Sequence, residues 1–124
     1  MILDAGALIA VTRDDRKTIA RLLVAHDEGD DLKTHAMVVA QVWRDRGGRQ
    51  AALARFLRSV EIVAIDDELG RRSGELLGKA GTADPIDAAV VLIARAGEAI
   101  LTSDPADLAH LARVAGRAVI IVRC

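Results

Sequence analysis

The segment DPIDAAVVLIARAGEAILTSDPADLAHLA, residues 84–112, predicts a helix, a strand and a second helix in succession. Each helix begins at the pattern Asp-Pro-x-Asp. In this pattern the first aspartate can cap the helix, proline suits the first turn, and the second acid interacts favourably with the helix dipole. Between the helices, the short apolar run at 98–102 predicts a buried strand. Such alternation favours a parallel sheet that helices cover on both faces.

The same alternation extends over the whole chain, which at 124 residues is expected to form one domain. We predict strands at 1–3, 32–35, 60–65, 98–102 and 118–122. We predict helices at about 5–11, 14–28, 36–45, 48–58, 67–79, 85–96 and 105–114. The glycine pair in RDRGGRQ, residues 44–50, breaks a helical pattern and therefore predicts a turn.

Composition excludes several classes of protein. The hydrophobic fraction of 52% argues against disorder, and no apolar run is long enough to cross a bilayer. The first residues, MILDAGALIAV, include Asp4 and have no basic residue before it, which argues against a secretory signal. Cys124 is the single cysteine, so no internal disulfide is expected. We therefore expect a cytoplasmic protein that does not enter the membrane.

The charge is balanced overall but uneven locally. Seventeen basic and eighteen acidic residues leave a formal charge of −1, so no global positive field attracts nucleic acid. Asp45 is the only acid in a run that contains Arg44, Arg46, Arg49, Arg55 and Arg58. This run either contacts phosphate or forms a solvated helix face. Trp43 and Phe56 are the only aromatic residues, so no platform for stacked bases is visible, and Trp43 is predicted to anchor the core.

Two acids follow predicted strands directly. Asp4 comes after the first strand, and Asp104 follows the strand that ends at Thr102. Because ligands bind outside the carboxyl ends of parallel strands, both acids are expected at the functional edge of the sheet. Helix capping explains Asp84 and Asp104 and would stabilise each helix by roughly 1 kcal/mol. Capping does not explain Asp4, which closes a buried strand and faces a cost of desolvation.

A shared site would connect these acids. If the fold brings Asp4, Asp87 and Asp104 together, a cation or a bound proton must offset their mutual repulsion. A hard ion that prefers oxygen ligands, Mg²⁺ or Mn²⁺, suits such a cluster and could activate water for attack on a phosphoryl group. The competing interpretation is that the acids are only helix caps and solvated side chains.

Three segments together resemble the PIN-domain ribonucleases, in particular the VapC-like toxins of toxin–antitoxin pairs. These segments are MILDAGALIAV at the start, DAAVVLIARAGEAILTSD at 87–104 and PADLAHLA at 105–112. The resemblance spans nearly the whole chain in order and spacing. It implies a three-layer α/β/α sandwich on a parallel sheet, with a divalent-metal site that hydrolyses RNA. It also implies a cognate antitoxin and a homodimer.

The resemblance assigns roles to particular residues. Asp4, Asp87 and Asp104 match the principal acids of the family, which bind the metal and support catalysis. Accessory roles fall to Thr102 as a hydroxyl, Asp107 as a carboxylate, and Asp84 as a ligand, a supporting group or only a cap. Arg44, Arg46 and Arg49 are the candidates for contact with the RNA.

One position departs from the family pattern. In AMVVAQVW, residues 36–43, Gln41 stands where the family usually has a glutamate. Glutamine offers an oxygen without charge, so it can orient a water molecule but does less to hold a metal ion. Gln41 is otherwise an incidental polar residue on a half-buried helix.

Two further interpretations therefore stay open. The first is a catalytically weakened PIN fold that binds RNA or a protein. The second is a phosphoacceptor receiver domain, which needs a lysine near the end of the chain and paired acids after the first strand. The last lysine here is Lys79, and only Asp4 follows the first strand, so the receiver is disfavoured. His26, His35 and His110 suggest no metal cluster and are expected on the surface, with His35 nearest the strand edge.

Overall fold

A computed structural model describes residues 1–124, with the side chain of Arg49 excepted. Within this described chain, the strands are β1 Ile2–Leu3, β2 Lys33–His35, β3 Glu61–Val63, β4 Ala99–Thr102 and β5 Ile120–Arg123. The helices are α1 Ala5–Thr12, α2 Arg16–Asp27, α3 Ala36–Val42, α4 Gly48–Leu57, α5 Asp67–Ala80, α6 Pro85–Ile93 and α7 Pro105–Val114. Each predicted strand and helix therefore has a counterpart, with differences mainly at the ends.

The strands form one parallel sheet in the order β3-β2-β1-β4-β5. The prediction that every strand is buried is wrong for β3 and β5, because these two lie at the edges of the sheet and are partly exposed. The central strands β1 and β4 pair through Leu3 and Leu101, and both of these side chains are fully buried. The sheet order therefore places the ends of β1 and β4 side by side.

Helices cover both faces of the sheet, which confirms the predicted three-layer α/β/α sandwich. Helix α1 packs against α2, α3 and α4, while α5, α6 and α7 pack against one another. The core contains Leu8 of α1 and Val90 of α6, both fully buried. In the described chain, no helix combines the length and the apolar character needed to span a membrane.

Two helices end three residues earlier than predicted, for local reasons. Helix α3 stops at Val42 because Trp43 adopts an extended backbone with ψ of 129°. Helix α6 stops at Ile93 because Ala94 is likewise extended, with ψ of 139°. Trp43 is 38% exposed, so the prediction that it anchors the core is wrong. The turn predicted at 44–50 is confirmed, since Gly47 has a positive φ of 79° that favours glycine.

Candidate functional site

Asp4 lies at the carboxyl edge of the sheet, directly after β1, as predicted. Its backbone N–H donates to the carbonyl oxygen of Leu101 at 3.0 Å, and the residue is only 7% exposed. Its Oδ1 accepts from the backbone N–H of Ala5 at 2.8 Å, and its Oδ2 accepts from the hydroxyl of Thr102 at 2.7 Å. The cost of burying this carboxylate is therefore offset by hydrogen bonds to its charged oxygens.

Thr102 connects Asp4 with Asp104. The Thr102 hydroxyl oxygen, which donates to Asp4, also accepts from the backbone N–H of Asp104 at 3.0 Å. The carboxylate of Asp4 and the backbone N–H of Asp104 thus both contact one buried hydroxyl. The prediction that Asp104 caps α7 through its side chain is wrong, because that carboxylate accepts no hydrogen bond from the backbone N–H groups of the helix. The geometry leaves the Asp104 carboxylate exposed beside Asp4.

The Asp-Pro segment at 84–87 brings Asp87 toward the same edge. Asp87 is partly buried in the first turn of α6, and its pKa is raised to about 7. The largest cause is burial, and the negative charges of Asp84, Asp4, Asp107 and Asp104 add to it. Four neighbouring acids therefore act on Asp87, as a shared negative site requires.

The roles of Asp84 and Asp107 differ from those of the central acids. The Oδ1 of Asp84 accepts from the backbone N–H groups of Ile86 at 2.9 Å and Asp87 at 3.2 Å, so Asp84 is the cap of α6 that the sequence predicts. Asp107 is exposed, and its charge is the largest cause of the raised pKa of Asp104. Both residues add negative potential at the border of the cluster.

The acids at the two edges of the sheet differ in whether they form ion pairs. At the amino edge, Glu98 precedes β4 and forms an ion pair of 3.0 Å with Lys33 of β2. Among the described side chains, none of the five acids at the carboxyl edge forms such an ion pair. The carboxyl edge therefore keeps an excess of negative charge, which suits a bound cation.

The described side chains do not yet form a complete ligand set. No group of three histidine, cysteine, aspartate or glutamate residues among them is arranged to hold a metal ion. The chemistry of the donors nevertheless fits Mg²⁺ or Mn²⁺, since all of them are carboxylate oxygens whose repulsion a dication would relieve. The carboxylates of Asp87 and Asp104 would have to rotate toward Asp4 to share one ion with it.

Comparison with known proteins identifies the fold. No family model matches this chain, and no curated protein matches it by sequence. By structure, the chain is similar to one in the crystal structure of VapBC2 from Rickettsia felis bound to a DNA fragment from their promoter. The TM-score is 0.72 at 14% sequence identity, over 99% of this chain and 97% of the other. The chain has a VapC-like PIN fold.

Gln41, the departure from the PIN pattern, lies in α3 and is exposed. Its side chain forms no hydrogen bond with Asp4, Asp87 or Asp104, all of which the structure describes. Its backbone carbonyl accepts from the guanidinium of Arg44 at 3.0 Å. The role of Gln41 at a metal site therefore stays a prediction.

His35 is not a surface residue of this PIN fold, so that prediction is wrong. The side chain is fully buried, and its Nδ1 accepts from the backbone N–H groups of Met37 and Val38 at the start of α3. Its Nε2 contacts the carbonyl oxygen of Ile86 at 2.9 Å. Burial lowers the pKa of His35. The neutral ring therefore joins α3 to the first turn of α6, next to Asp87.

The other two histidines lie away from the acids. His26 is exposed, as predicted. His110 is half-buried, and its Nε2 contacts the carbonyl oxygen of Ala80 at 2.9 Å, so the prediction of a surface position is wrong for it. This contact joins α7 to the end of α5.

The predicted RNA contacts have different surroundings. Arg44 donates from its guanidinium to the carbonyl oxygens of Ala40, Gln41 and Trp43, so it covers the end of α3. Arg46 is exposed, and the side chain of Arg49 lies outside the described part of the chain. The contact of these three arginines with RNA stays a prediction.

Two arginines that sequence reasoning missed lie beside the acids. Arg123 ends β5 and pairs in register with Thr102, and its positive charge lowers the pKa of Asp104 against the acids that raise it. Arg13 lines a cleft of about 280 Å³ together with Gly6 and Ser103. The position of Arg123 at the end of a predicted parallel strand is a signal in the sequence that could have identified it.

Gly6 allows one wall of this cleft to pack tightly. A Cβ atom at Gly6 would lie 2.5 Å from the Ser103 hydroxyl oxygen and 2.9 Å from the Ser103 backbone nitrogen. Helix α1 can therefore approach the loop between β4 and α7 only with glycine at this position. The close approach positions Ser103 between Thr102 and Asp104.

Proposed function

We propose that this protein is a metal-dependent endoribonuclease, the toxin of a toxin–antitoxin pair. The observation that carries the proposal is the approach of three acids from separate segments toward one edge of the sheet. Asp4 and Asp104 contact the same Thr102 hydroxyl, and the charges of both act on the pKa of Asp87. The VapC-like PIN fold supports the same function.

The acids of the site divide the work between them. Asp4 is the rigid member, because Ala5 and Thr102 fix both of its oxygens. Asp87 and Asp104 are the movable members, since neither carboxylate caps a helix. Mg²⁺ or Mn²⁺ bound to Asp4, Asp87 and Asp104 would neutralise charge on the phosphate and lower the pKa of the attacking water. Asp84, Asp107 and Gln41 would orient water at the border of the site.

Asp87 can also hold a proton near neutral pH. Its pKa of about 7 means that, without a bound cation, the carboxyl group carries a proton for part of the time at neutral pH. This capacity depends on its burial and on the neighbouring acids. The proton and a bound cation compete for the same oxygen atoms.

The proposed partners are a single-stranded RNA substrate, a cognate antitoxin and a second copy of the chain. Support for the antitoxin comes from the fold likeness to a chain of the VapBC2 complex. An antitoxin would block cleavage by covering the acids at the carboxyl edge. Co-purification of the protein with its genomic neighbour, followed by loss of nuclease activity in the complex, would test this partner.

Cleavage of RNA in Mg²⁺ or Mn²⁺ tests the enzymatic proposal. We expect Asp4→Asn to reduce the cleavage rate by about 100-fold or more, because Asp4 is the fixed carboxylate of the cluster. Asp31→Asn is the matched control, since it removes an exposed carboxylate at the opposite edge and should leave the rate unchanged. Equal rates for the wild type and Asp4→Asn would reject the assignment of the site.

A binding module without catalysis is the second candidate, and two observations favour it. Gln41 lacks the charge of the usual glutamate, and the described side chains contain no complete ligand group for a metal ion. This candidate predicts weak Mn²⁺ binding in calorimetry and tighter binding by Gln41→Glu. Tight Mn²⁺ binding together with RNA cleavage by the wild type would exclude it.

A further inference from the structure

Two guanidinium groups lie on one side of the acidic edge. Arg123 stands at the end of β5, in register with Thr102, and its charge acts on Asp104. Arg13 follows the last residue of α1 and lines the cleft that reaches Ser103. Because Ser103 lies between Thr102 and Asp104, this cleft begins directly beside the proposed reaction site.

The cleft combines apolar surface with polar groups, which suits a small ligand that is partly polar. Its volume is about 280 Å³, close to the lower limit for pockets that hold small ligands. Ile9 and Ala10 of α1 supply apolar surface, and Thr18 and Ser103 supply hydroxyl groups. Asp15 also lines the cleft, and its Oδ1 accepts from the backbone N–H of Thr18 at 2.9 Å, so this acid is engaged as the cap of α2. The contact between Gly6 and Ser103 fixes one wall, so the cleft is largely formed before a ligand enters.

The charges of the two arginines are available to a ligand. Among the side chains that the structure describes, neither Arg13 nor Arg123 forms an ion pair. Arg21 donates to the backbone carbonyl of Arg123 at 3.0 Å, which holds the end of β5 in place. Arg44, by contrast, donates to three backbone carbonyls and has fewer free donors. Unpaired guanidinium groups beside a phosphoryl-transfer site favour phosphate oxygens as their partners.

We propose that this cleft is the subsite for the nucleotide next to the scissile phosphate of a single-stranded RNA, and that Arg13 and Arg123 contact its phosphates. The proposal rests on the proposed nuclease function. It places the path of the RNA over β4 and β5, away from Arg44, Arg46 and Arg49. The apolar floor supplied by Ile9 and Ala10 would support the base in the absence of an aromatic platform.

Binding of a fluorescently labelled single-stranded RNA in EDTA tests the proposal without cleavage. We expect Arg13→Ala and Arg123→Ala each to weaken binding about tenfold, because each loses a charged hydrogen bond to phosphate. Each should also reduce the slope of log affinity against log salt by about 0.7, which corresponds to one phosphate contact on a single strand. Arg72→Ala, which removes an exposed arginine of α5 outside both candidate regions, is the matched control and should leave the affinity and the slope unchanged.

A second variant tests the cleft apart from its charges. Ala10→Phe should fill the cleft and weaken RNA binding about tenfold while the salt slope stays at the wild-type value. Circular dichroism and thermal melting of each variant confirm that it is folded. Wild-type affinity in both Arg13→Ala and Ala10→Phe overturns the subsite, and so does a loss of affinity in Arg46→Ala alone.

The failure of the subsite and the failure of the nuclease proposal are distinguishable. If the wild type cleaves RNA and the KM of Arg13→Ala and Arg123→Ala is unchanged, the subsite proposal is rejected and the nuclease proposal is retained. If the arginine variants bind RNA more weakly as expected and the wild type does not cleave RNA with Mg²⁺ or Mn²⁺, the subsite proposal is retained and the nuclease proposal is rejected. Absence of RNA binding by the wild type overturns the subsite.

Discussion

The two Asp-Pro-x-Asp segments, at 84–87 and 104–107, share a sequence pattern and differ in what their acids do. In the first segment, Asp84 caps α6 through hydrogen bonds to Ile86 and Asp87. In the second segment, Asp104 makes no cap with its side chain, and its backbone N–H donates to the Thr102 hydroxyl. The acid of the proposed site is therefore the fourth residue of the first segment and the first residue of the second.

The difference arises from what precedes each segment. Asp104 is the second residue after β4, so it lies at the carboxyl edge of the sheet. Asp84 follows the loop that begins at Gly81, where φ is 69°, and this loop leaves Asp84 exposed at the start of α6. The helix then carries Asp87, one turn later, toward the same edge. The same local motif therefore places a different acid at the proposed site in each segment.

The largest expected difference between the segments is in RNA cleavage. Asp104→Asn should lower the rate by about 100-fold or more, because it removes a carboxylate of the proposed ligand group. Asp84→Asn should change the rate by less than about threefold, because asparagine also caps helices well. The measurement is cleavage of one RNA under identical Mg²⁺ conditions. Equal loss in both variants would mean that the two first aspartates have the same role.

The Thr102 hydroxyl is the contact that distinguishes the second segment, and its removal should destabilise the protein. Thr102→Val should lower the free energy of unfolding by about 2–3 kcal/mol, because it leaves the Oδ2 atom of the buried Asp4 carboxylate without a donor. Urea denaturation provides the measurement. Thr34→Val is the matched control, since Thr34 is equally buried and donates to a neutral carbonyl at 2.7 Å. A loss in Thr102→Val no larger than in this control would contradict a charged hydrogen bond at Asp4.

Asp87 should make the stability of the protein depend on pH. Its pKa is about 7 in the folded chain and 3.8 as a reference for the unfolded chain, so the folded state binds more protons between these values. Stability conferred by the protonated form is therefore lost as the pH rises through 7. Asp87→Asn, which mimics the protonated form, should raise the free energy of unfolding by about 1–2 kcal/mol at pH 8, after allowance for solvent screening.

The pH series itself provides the control for Asp87. The stabilisation by Asp87→Asn should decrease steadily from pH 8 to pH 5 in urea denaturation with EDTA, because wild-type Asp87 gains its own proton over this range. Asp31→Asn should show no such trend, since Asp31 is exposed at the amino edge. If Asp87→Asn raised the free energy of unfolding by the same amount at every pH from 8 to 5, repulsion between Asp87 and the neighbouring acids would be rejected.

The smallest expected effect is the loss of one helix cap. Asp84→Ala should lower the free energy of unfolding by about 1 kcal/mol, because it removes the acceptor for two backbone N–H groups of α6. Asp104→Ala should leave the free energy of unfolding unchanged, since its carboxylate makes no cap. Thermal denaturation at pH 7 compares the two variants. Destabilisation by Asp104→Ala equal to that of Asp84→Ala would restore the capping role predicted from its sequence.

Much of the fold could be predicted because its signals are local. The helix from Pro105 to Val114 begins and ends where the sequence predicts, and the strand at Ala99–Thr102 differs by one residue. The position of Asp4 after β1 was likewise predictable, because a residue that follows a parallel strand lies at its carboxyl edge. The burial of His35 could not be predicted, because its partner Ile86 is 51 residues away in the chain.

The sequence by itself determined the alternation of helices and strands, the cap at Asp84 and the acids that follow β1 and β4. These features depend mainly on neighbours in the chain, so a local pattern is enough to predict them. Only the tertiary structure decided that Asp104 is not a cap, that β3 and β5 lie at the edges, and that Arg13 and Arg123 stand beside the acids. These outcomes depend on the order of strands in the sheet, which brings distant residues into contact and is not encoded in any local pattern.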